Sequence, residues 1–306
     1  MYEWVGRLTG HLDRLPGIAR WIRWVPRPVM LGICSLLGWL VWKKENHLRT
    51  KVLDNMGEVL TNRNQLQIGK ECRRYFRNFF ITVYEVLIDS FRLEQTKRWR
   101  FQVSGEANLQ EALSAGKGVI VFTPHLGNFF YYYWYLSRRY PCLTVVTAGS
   151  PELRPLYLLF QQLGCRGLDY DATPPMQLIR TLRKHLRQNG VVFLLGDFWR
   201  PTFPQARLFD RITRSPAGTT ALALEQQVPV VPFYGYRRRG FRHQLVFGPA
   251  IHLHQTYRPD QRTEATNHLN RFLEDAITTV PGQWLYWFNA EHRWEEVDTA
   301  ARQAEG

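Results

Sequence analysis

The chain has 306 residues, of which 45% are hydrophobic, and carries 40 Lys and Arg against 26 Asp and Glu, for a formal net charge of +14. This length predicts one larger domain with an N-terminal addition. The charge favours anionic partners such as an acidic leaflet or a phosphorylated lipid, and the absence of zinc-finger, RNA-recognition and basic-zipper patterns argues against nucleic acid. Four scattered cysteines without a Cys-x-x-Cys pair indicate buried apolar side chains in a reducing compartment, and no metal site is expected.

The first 48 residues form a basic, aromatic segment. Apolar side chains recur at helical spacing among arginines, which is typical of a helix at a membrane surface; they include Trp4, Leu8, Leu12, Trp21 and Trp24. An uncharged run of fourteen residues, 29–42, follows and ends at Lys43 and Lys44. Because a spanning helix needs roughly 20 apolar residues, this run predicts a shallow or half-inserted membrane anchor, with a buried core helix as the alternative.

Two helices are predicted between residues 51 and 92. The second carries apolar residues mostly four apart, which indicates one packed face; they are Ile68, Cys72, Phe76, Phe79, Val83 and Leu87. Arg73, Arg74 and Arg77 lie between them. We expect these arginines to form a solvated face, with lipid phosphates as the alternative partner.

Strands alternate with helices from about Arg100, which predicts an α/β fold. Residues 119–123 suit a buried strand, and Pro124 ends it because proline cannot donate to a ladder. His125 then lies just past the carboxyl end of the strand, where open α/β sheets bind their ligands. Since histidine ordinarily titrates near neutrality, His125 is a candidate general base, and a structural loop histidine is the alternative.

Residues 129–135 are all aromatic, and a helix without a polar face is either buried or lipid-facing. A second apolar strand, 191–195, ends at Gly196 and Asp197. Asp197 is the second candidate for the site because it too follows the carboxyl end of a strand. The alternative is a turn aspartate that caps its neighbours.

The last third of the chain is rich in arginine and tryptophan. Arg207, Arg211 and Arg214 precede a small-residue helix and are candidate contacts for a phosphate group. The run 237–239 with Gly240 predicts a hairpin turn with solvated charge. Three histidines without metal-ligand spacing are interpreted as structural: His243, His252 and His254. Further on, we expect Trp284 and Trp287 to pack under the sheet and Arg293 with Trp294 to close a groove.

Five sequence blocks resemble, in order, those of the bacterial lipid A biosynthesis acyltransferases, within the lysophospholipid acyltransferase superfamily. The central block is Thr-Pro-His-Leu-Gly-Asn-Phe at 123–129, which resembles the histidine motif of that superfamily. Together the blocks cover most of residues 50–294. The others lie at 51–57 with 73–78, 195–199, 215–224 with 228–233, and 281–287 with 292–294.

The resemblance implies a mixed, mostly parallel sheet flanked by helices, with a membrane-associated N-terminal helical segment (1–48), an acyltransferase domain (49–294) and a polar tail (295–306). It implies a donor thioester on acyl carrier protein, no other cofactor, and a hydroxyl acceptor on a lipid A precursor or related glycolipid. His125 would be the base. The aromatic helix at 129–135 would form part of the core and one wall of a pocket for the long acyl chain, with core packing alone as the alternative. The inner membrane, with the site on its cytoplasmic face, is the implied location.

The resemblance also assigns substrate contacts to Gly127, Asn128, Arg207, Arg214 and Arg293. The most serious departure from the family pattern is at Phe130, where the family carries a carboxylate five residues after the histidine. The arginine-bearing strand end of the family is also degenerate here, at 146–150. Without a local acid the tautomer of the imidazole is not fixed. Asp197 is the first candidate to replace that acid.

Two poorer candidates for the missing acid are Glu225 and Glu152. Another reading of Phe130 is a catalytically impaired relative that binds lipid or an acyl carrier. A third hypothesis for the function is an acyltransferase that uses an amine or another glycolipid, such as a mannosylated phosphoinositide, as its acceptor.

Overall fold

The computed structural model describes residues 17, 21–22, 24–149 and 154–295. The predicted helical pattern of Trp4, Leu8 and Leu12, the candidate acid Glu152 and the polar tail beyond Glu295 lie outside these residues.

A seven-stranded sheet with strand order β1-β9-β8-β2-β5-β3-β4 forms the centre of the fold, and a separate antiparallel ribbon pairs β6 with β7. All pairs in the large sheet are parallel except β8 with β9. The strands are β1 (Phe101–Ser104), β2 (Val119–Thr123), β3 (Cys142–Val146), β4 (Gly167–Asp169), β5 (Val191–Leu195), β6 (Gln205–Leu208), β7 (Arg211–Arg214), β8 (Val230–Arg239) and β9 (Arg242–Phe247). The α/β class and the mostly parallel sheet are confirmed.

Helices cover both faces of the sheet, and several of them precede its first strand in the chain. They are α1 (Arg27–Lys44), α2 (Asn46–Val59), α3 (Gln65–Leu87), α4 (Leu93–Arg100), α5 (Glu106–Ser114), α6 (Phe129–Ser137), α7 (Arg154–Gln162), α8 (Pro175–Arg187), α9 (Gly218–Gln226), α10 (Leu253–Thr256) and α11 (Arg262–Thr279). Short 3₁₀ turns occupy Asp89–Arg92, Pro281–Gln283, Leu285–Phe288 and Ala290–Arg293.

The central strand β2 is buried on both faces, which explains its continuous apolar sequence. Successive side chains of a strand point to opposite faces. Ile120 and Phe122 therefore pack into the core that contains Trp284 and Trp287. The intervening valines pack into a second core beneath α6. The expectation that the two tryptophans pack under the sheet is confirmed.

Helix α1 buries one face and exposes the other. Its buried residues, Met30, Cys34 and Gly38, are four apart and face α3. Gly38 permits a close helix contact, since a Cβ there would come 2.8 Å from the Cα of Arg77. The opposite face presents large apolar side chains to solvent, which are Val29, Ile33, Leu36, Leu37 and Trp39. None of the described helices combines the length and apolar character that a membrane crossing requires.

The hairpin near Gly240 forms as expected, but the prediction that all three preceding arginines are solvated is wrong. Arg237 is only 7% exposed. Its guanidinium donates to the Glu85 carboxylate at 2.7 Å and to the Thr82 hydroxyl at 3.0 Å. Strand β8 runs on to Arg239, so Arg237 belongs to the sheet and points inward, toward a carboxylate on α3.

Candidate active site

His125 lies at the carboxyl end of the central strand. Strand β2 pairs in parallel with β5 on one side and β8 on the other. Beyond Pro124 the backbone remains fixed, because the Leu126 amide donates to the Pro124 carbonyl at 2.8 Å and the Leu285 amide donates to the His125 carbonyl at 2.9 Å. The imidazole thus extends from a well-anchored backbone, and 11% of its side chain is exposed.

Asp197 lies directly against this imidazole. Strands β2 and β5 are adjacent and parallel, with Thr123 opposite Leu195, so their carboxyl ends meet at the same edge of the sheet. Oδ1 of Asp197 is 2.6 Å from Nδ1 of His125, and the two carboxylate oxygens accept the His125 backbone amide at 3.0 and 2.9 Å. The prediction that Asp197 brings a carboxylate to the ring is confirmed as a contact.

Glu225, one of the other candidate acids, has its partners elsewhere. Glu225 forms ion pairs with two arginines, on α8 and α11, and Glu152 is outside the described residues. Phe130, at the position where the family pattern has an acid, stacks on Phe129 with ring centroids 4.4 Å apart. It also contacts Phe160, at 5.0 Å. The carboxylate beside the His125 imidazole therefore comes from a neighbouring strand and not from the helix that follows His125.

The Asp197 carboxylate is held ionised although it is only 2% exposed. Burial acts to raise the pKa of this carboxyl. The charge that His125 carries when protonated, the hydrogen bonds from His125 and Trp284 and the charge of Arg293 outweigh burial and leave the pKa of Asp197 below its ordinary value. The Trp284 indole N–H donates to Oδ2 at 2.7 Å. The result is a fixed anionic acceptor for the Nδ1 proton.

This acceptor determines which nitrogen of His125 is free to act as a base. An ionised carboxylate can only accept hydrogen bonds, so the neutral ring carries its proton on Nδ1 and its lone pair on Nε2. Nε2 faces the Tyr286 hydroxyl at 3.3 Å. The pair can therefore take a proton from a hydroxyl at Nε2 while Asp197 stabilises the imidazolium that forms.

The segment 281–294 completes the site, and sequence reasoning recognised only part of it. Arg293 was expected at a groove; its guanidinium donates to the Asp197 carbonyl at 2.5 Å and lies 4.0 Å from the Tyr286 ring. The Trp284 contact with the carboxylate and the position of Tyr286 were missed. One signal was available, since a buried indole N–H needs an acceptor and Asp197 was already a candidate.

Gly127 and Asn128 form the turn that follows the histidine. Gly127 has φ +60°, and a Cβ there would come 2.3 Å from the Tyr132 hydroxyl, so only glycine fits. Asn128 is fully buried. Its Oδ1 caps α6 and its Nδ2 donates to Glu85 at 3.0 Å. The predicted substrate contacts of both residues stay predictions, while the Asn128 side chain already has partners within the protein.

The arginines of the β6–β7 ribbon, Arg207, Arg211 and Arg214, are exposed or half-buried. Arg207 is exposed on β6. The guanidinium of Arg214 forms an ion pair with Glu295 and donates to the Phe203 carbonyl at 3.0 Å. A phosphate contact at Arg207 or Arg214 stays a prediction.

Aromatic rings border the imidazole. The Phe129 and Tyr286 rings contact it edge-on, with centroids 4.9 and 4.8 Å away, and the Phe198 ring lies at 6.5 Å. Phe129 and Phe130 are half-buried at the start of α6, whereas the six residues that follow, 131–136, are buried. An apolar surface therefore adjoins the His125 imidazole.

A cavity of about 620 Å³ opens elsewhere, at the amino ends of β2 and β8, between Lys117, Pro229 and His254. Because β2 and β8 are parallel, this cavity lies at the edge of the sheet opposite His125. Among the described residues, no three His, Cys, Asp or Glu side chains are grouped as metal ligands.

A histidine–carboxylate pair at the carboxyl edge of a mostly parallel sheet, bordered by aromatic rings, suits a general-base enzyme with an apolar substrate. A family profile described as bacterial lipid A biosynthesis acyltransferase matches residues 16–295, and the chain belongs to that family.

Two curated relatives from Mycobacterium tuberculosis, of strains H37Rv and CDC 1551, are phosphatidylinositol mannoside acyltransferases. Each is 30% identical over 154 residues, which is 47% of this chain and 46% of the relative. The aligned segment thus spans about half the length of these relatives.

Proposed function

We propose that the protein transfers a fatty acyl chain from a thioester donor to a hydroxyl of a lipid A precursor or related glycolipid, with His125 as the general base. The observation that carries this proposal is the 2.6 Å contact between Nδ1 of His125 and the ionised Asp197, which leaves Nε2 as the basic nitrogen. Membership of an acyltransferase family supports the reaction type.

The proposed reaction needs no group beyond the two substrates. Nε2 of His125 takes the proton of the acceptor hydroxyl, and the oxygen attacks the thioester carbonyl. The C–S bond of the tetrahedral intermediate breaks, and the departing thiolate receives the proton from the imidazolium. General-base assistance of this kind contributes about 10²- to 10⁴-fold to the rate.

The aromatic border of His125 is the proposed wall for the acyl chain. Phe129 touches the imidazole, and Phe130 continues the same surface toward Phe160 on α7. Each buried methylene contributes about 0.8 kcal/mol, so a long chain gains substantial binding energy along such a surface. On this reading Phe130 contributes apolar surface, and Asp197 supplies the acid.

The alternative of an impaired, lipid-binding relative rested on the missing acid at Phe130. The contact between Asp197 and His125 removes its main support, so we favour the enzyme. A mannosylated phosphoinositide is the second candidate acceptor, because the two relatives bear that name. Both acceptor classes offer sugar hydroxyls, and acyl carrier protein is the proposed donor, with coenzyme A as the alternative.

The exposed apolar face of α1 is the proposed contact with the inner membrane. Leu36 and Trp39 are 55% and 48% exposed, Lys43 and Lys44 end the helix, and Trp24 before it is 75% exposed. Apolar side chains flanked by cations suit an anionic leaflet. Helix α1 packs on α3, whose Tyr75 and Asn78 donate to backbone carbonyls of the 281–285 segment beside His125.

This arrangement would keep the site at the cytoplasmic face of the membrane. Sedimentation with anionic vesicles tests the contact: Leu36→Asp is expected to release the protein, whereas Leu66→Asp, at a 70% exposed position on α3, is expected to leave it bound. Equal retention of both variants would argue against the α1 face.

The decisive experiment measures acyl transfer by the purified protein from acyl carrier protein thioesters to each acceptor class. We expect transfer by the wild type and its loss in His125→Ala. The matched control is His254→Ala, at the opposite edge of the sheet, which is expected to keep full activity. Absence of transfer by the wild type, or undiminished transfer by His125→Ala, would overturn the proposal.

A further inference from the structure

A cluster of charged and polar side chains is buried beneath the turn that follows His125. The cluster consists of four residues from four separate elements, Glu85, Arg100, Arg237 and His243, each no more than 7% exposed. Glu85 is its centre and is fully buried. Charges in such a position are costly unless every one is paired, and apolar residues often serve stability equally well. The cluster therefore calls for a reason beyond stability.

A closed ring of hydrogen bonds joins Glu85 to the turn. The Asn128 backbone amide donates to the Tyr132 hydroxyl at 3.0 Å, and that hydroxyl lies 3.1 Å from Nδ1 of His243. Nε2 of His243 is 2.9 Å from Oε1 of Glu85, and Nδ2 of Asn128 donates to Oε2 at 3.0 Å. One assignment satisfies every bond: the tyrosine donates to a neutral His243, which donates to the carboxylate.

We propose that Glu85 is a positioning residue of the site, whose buried carboxylate closes a ring through Asn128, Tyr132 and His243 and thereby fixes the turn that carries His125. The inference rests on the proposed function, because positioning matters only if His125 performs chemistry. Glu85 itself touches neither the imidazole nor the reacting atoms.

Only an anion fits the place that Glu85 occupies. Its carboxylate accepts from Asn128, from His243 and from Arg237, the last at 2.7 Å. A glutamine would turn an N–H group toward one of these donors and interrupt the ring of hydrogen bonds. Burial acts to raise the pKa of Glu85, but Arg237 and His243 outweigh burial and hold that pKa below its ordinary value.

This ring of hydrogen bonds acts on His125 because the turn that joins them has little conformational freedom. The Tyr132 hydroxyl that accepts the Asn128 amide also fills the space where a Gly127 side chain would be. The Gly127 amide donates to the Gln283 carbonyl at 2.9 Å, and Gln283 in turn exchanges two hydrogen bonds with the Arg237 backbone. Glu85 thus supports the turn through Asn128 and, through Arg237, the segment opposite it.

The experiment compares Glu85→Gln and Tyr132→Phe with a matched control, Asp89→Asn. Asp89 is a buried carboxylate that pairs with Arg100 and Arg27 and has no bond to Asn128. We expect kcat to fall about 10- to 100-fold in the first two variants, as for a misplaced catalytic group, with the KM for the acyl thioester unchanged. The control is expected to lose thermal stability and keep its kcat.

A second readout is independent of activity. The Nδ1 proton of His125, held by Asp197, is followed by nitrogen-15 NMR of the ring, and we expect faster solvent exchange in Glu85→Gln and Tyr132→Phe but not in Asp89→Asn. A wild type without acyl transfer would defeat the proposed function, and this signal would still test the positioning. If Glu85→Gln does not fold, Tyr132→Phe decides, because it removes one hydroxyl.

Positioning by Glu85 is refuted by either of two results. One is a folded Tyr132→Phe variant with wild-type kcat and an unchanged His125 signal. The other is an equal loss of kcat in Asp89→Asn, which would mean that any damage to the buried charges has the same effect.

Discussion

Replacing Asp197 with asparagine tests whether the carboxylate orients the base. In the wild type the two oxygens accept from the His125 ring at 2.6 Å, from its backbone amide and from the Trp284 indole at 2.7 Å. Asparagine keeps the shape but offers a single acceptor oxygen. Its NH₂ group must then face either Nδ1 of His125 or the indole N–H, and both positions are donors in the wild type.

The size of the effect follows from which nitrogen keeps the lone pair. If the new amide faces Nδ1, the ring proton moves to Nε2, and the nitrogen that faces the acceptor becomes a donor that cannot remove a proton. The same substitution in a Ser-His-Asp triad lowers kcat about 10⁴-fold through the wrong tautomer. We therefore expect kcat to fall about 10²- to 10⁴-fold, equivalent to about 2.7 to 5.4 kcal/mol in the barrier.

The assay is the steady-state rate of acyl transfer from a carrier-protein thioester by Asp197→Asn, with circular dichroism to check folding. Glu225→Gln is the matched control, because Glu225 was a competing candidate for the same role and pairs only with arginines on α8 and α11 in the described contacts. We expect its rate to equal that of the wild type. The orientation argument fails if Asp197→Asn is folded and keeps more than about a tenth of the wild-type kcat.

Two other substitutions and one titration extend these expectations. Phe130→Glu restores the acid of the family pattern, yet we expect the rate to fall, because Asp197 already holds the ring and the substitution removes the stacking on Phe129; a large rate gain would contradict this. Urea unfolding should show stability falling below pH 6.5, because the folded pKa of His243 is lowered by burial and the unfolded chain protonates first. Because the folded pKa of Glu85 is also lowered, we expect a further loss of stability below pH 4.5. In His243→Gln, the loss of stability that begins below pH 6.5 should become smaller.

The strands and the candidate base could be predicted because their signals are local. Every residue of Val119–Thr123 is β-branched, apolar or both, and the strand stops at a proline, which places His125 at a strand end without tertiary information. Asp197 follows by the same reasoning, and a parallel sheet with β2 beside β5 brings the two together. The order of the strands supplied the contact, and neither the residues nor the family resemblance had predicted that order.

The buried polar residues could not be predicted because their partners are distant in the sequence. Arg237 looks like part of a solvated hairpin, and only Glu85, 152 residues away, explains its burial. Glu85 itself lies in a helix whose apolar stripe gives no hint of a charge in the core. Tyr286 belongs to a run of 3₁₀ turns, where no periodicity indicates which side chain faces the site.

His125 and Asp197 come from two strand ends that are 72 residues apart in the chain and adjacent in the sheet. If both residues lay on one helix, a single helical turn would set their spacing, and that spacing would survive partial unfolding of the surrounding structure. Here the spacing depends on the ladder between β2 and β5. On heating, enzymatic activity should therefore be lost at the same temperature as the pairing of β2 with β5. The activity that remains at a given temperature would then measure the fraction of molecules in which this pairing is intact.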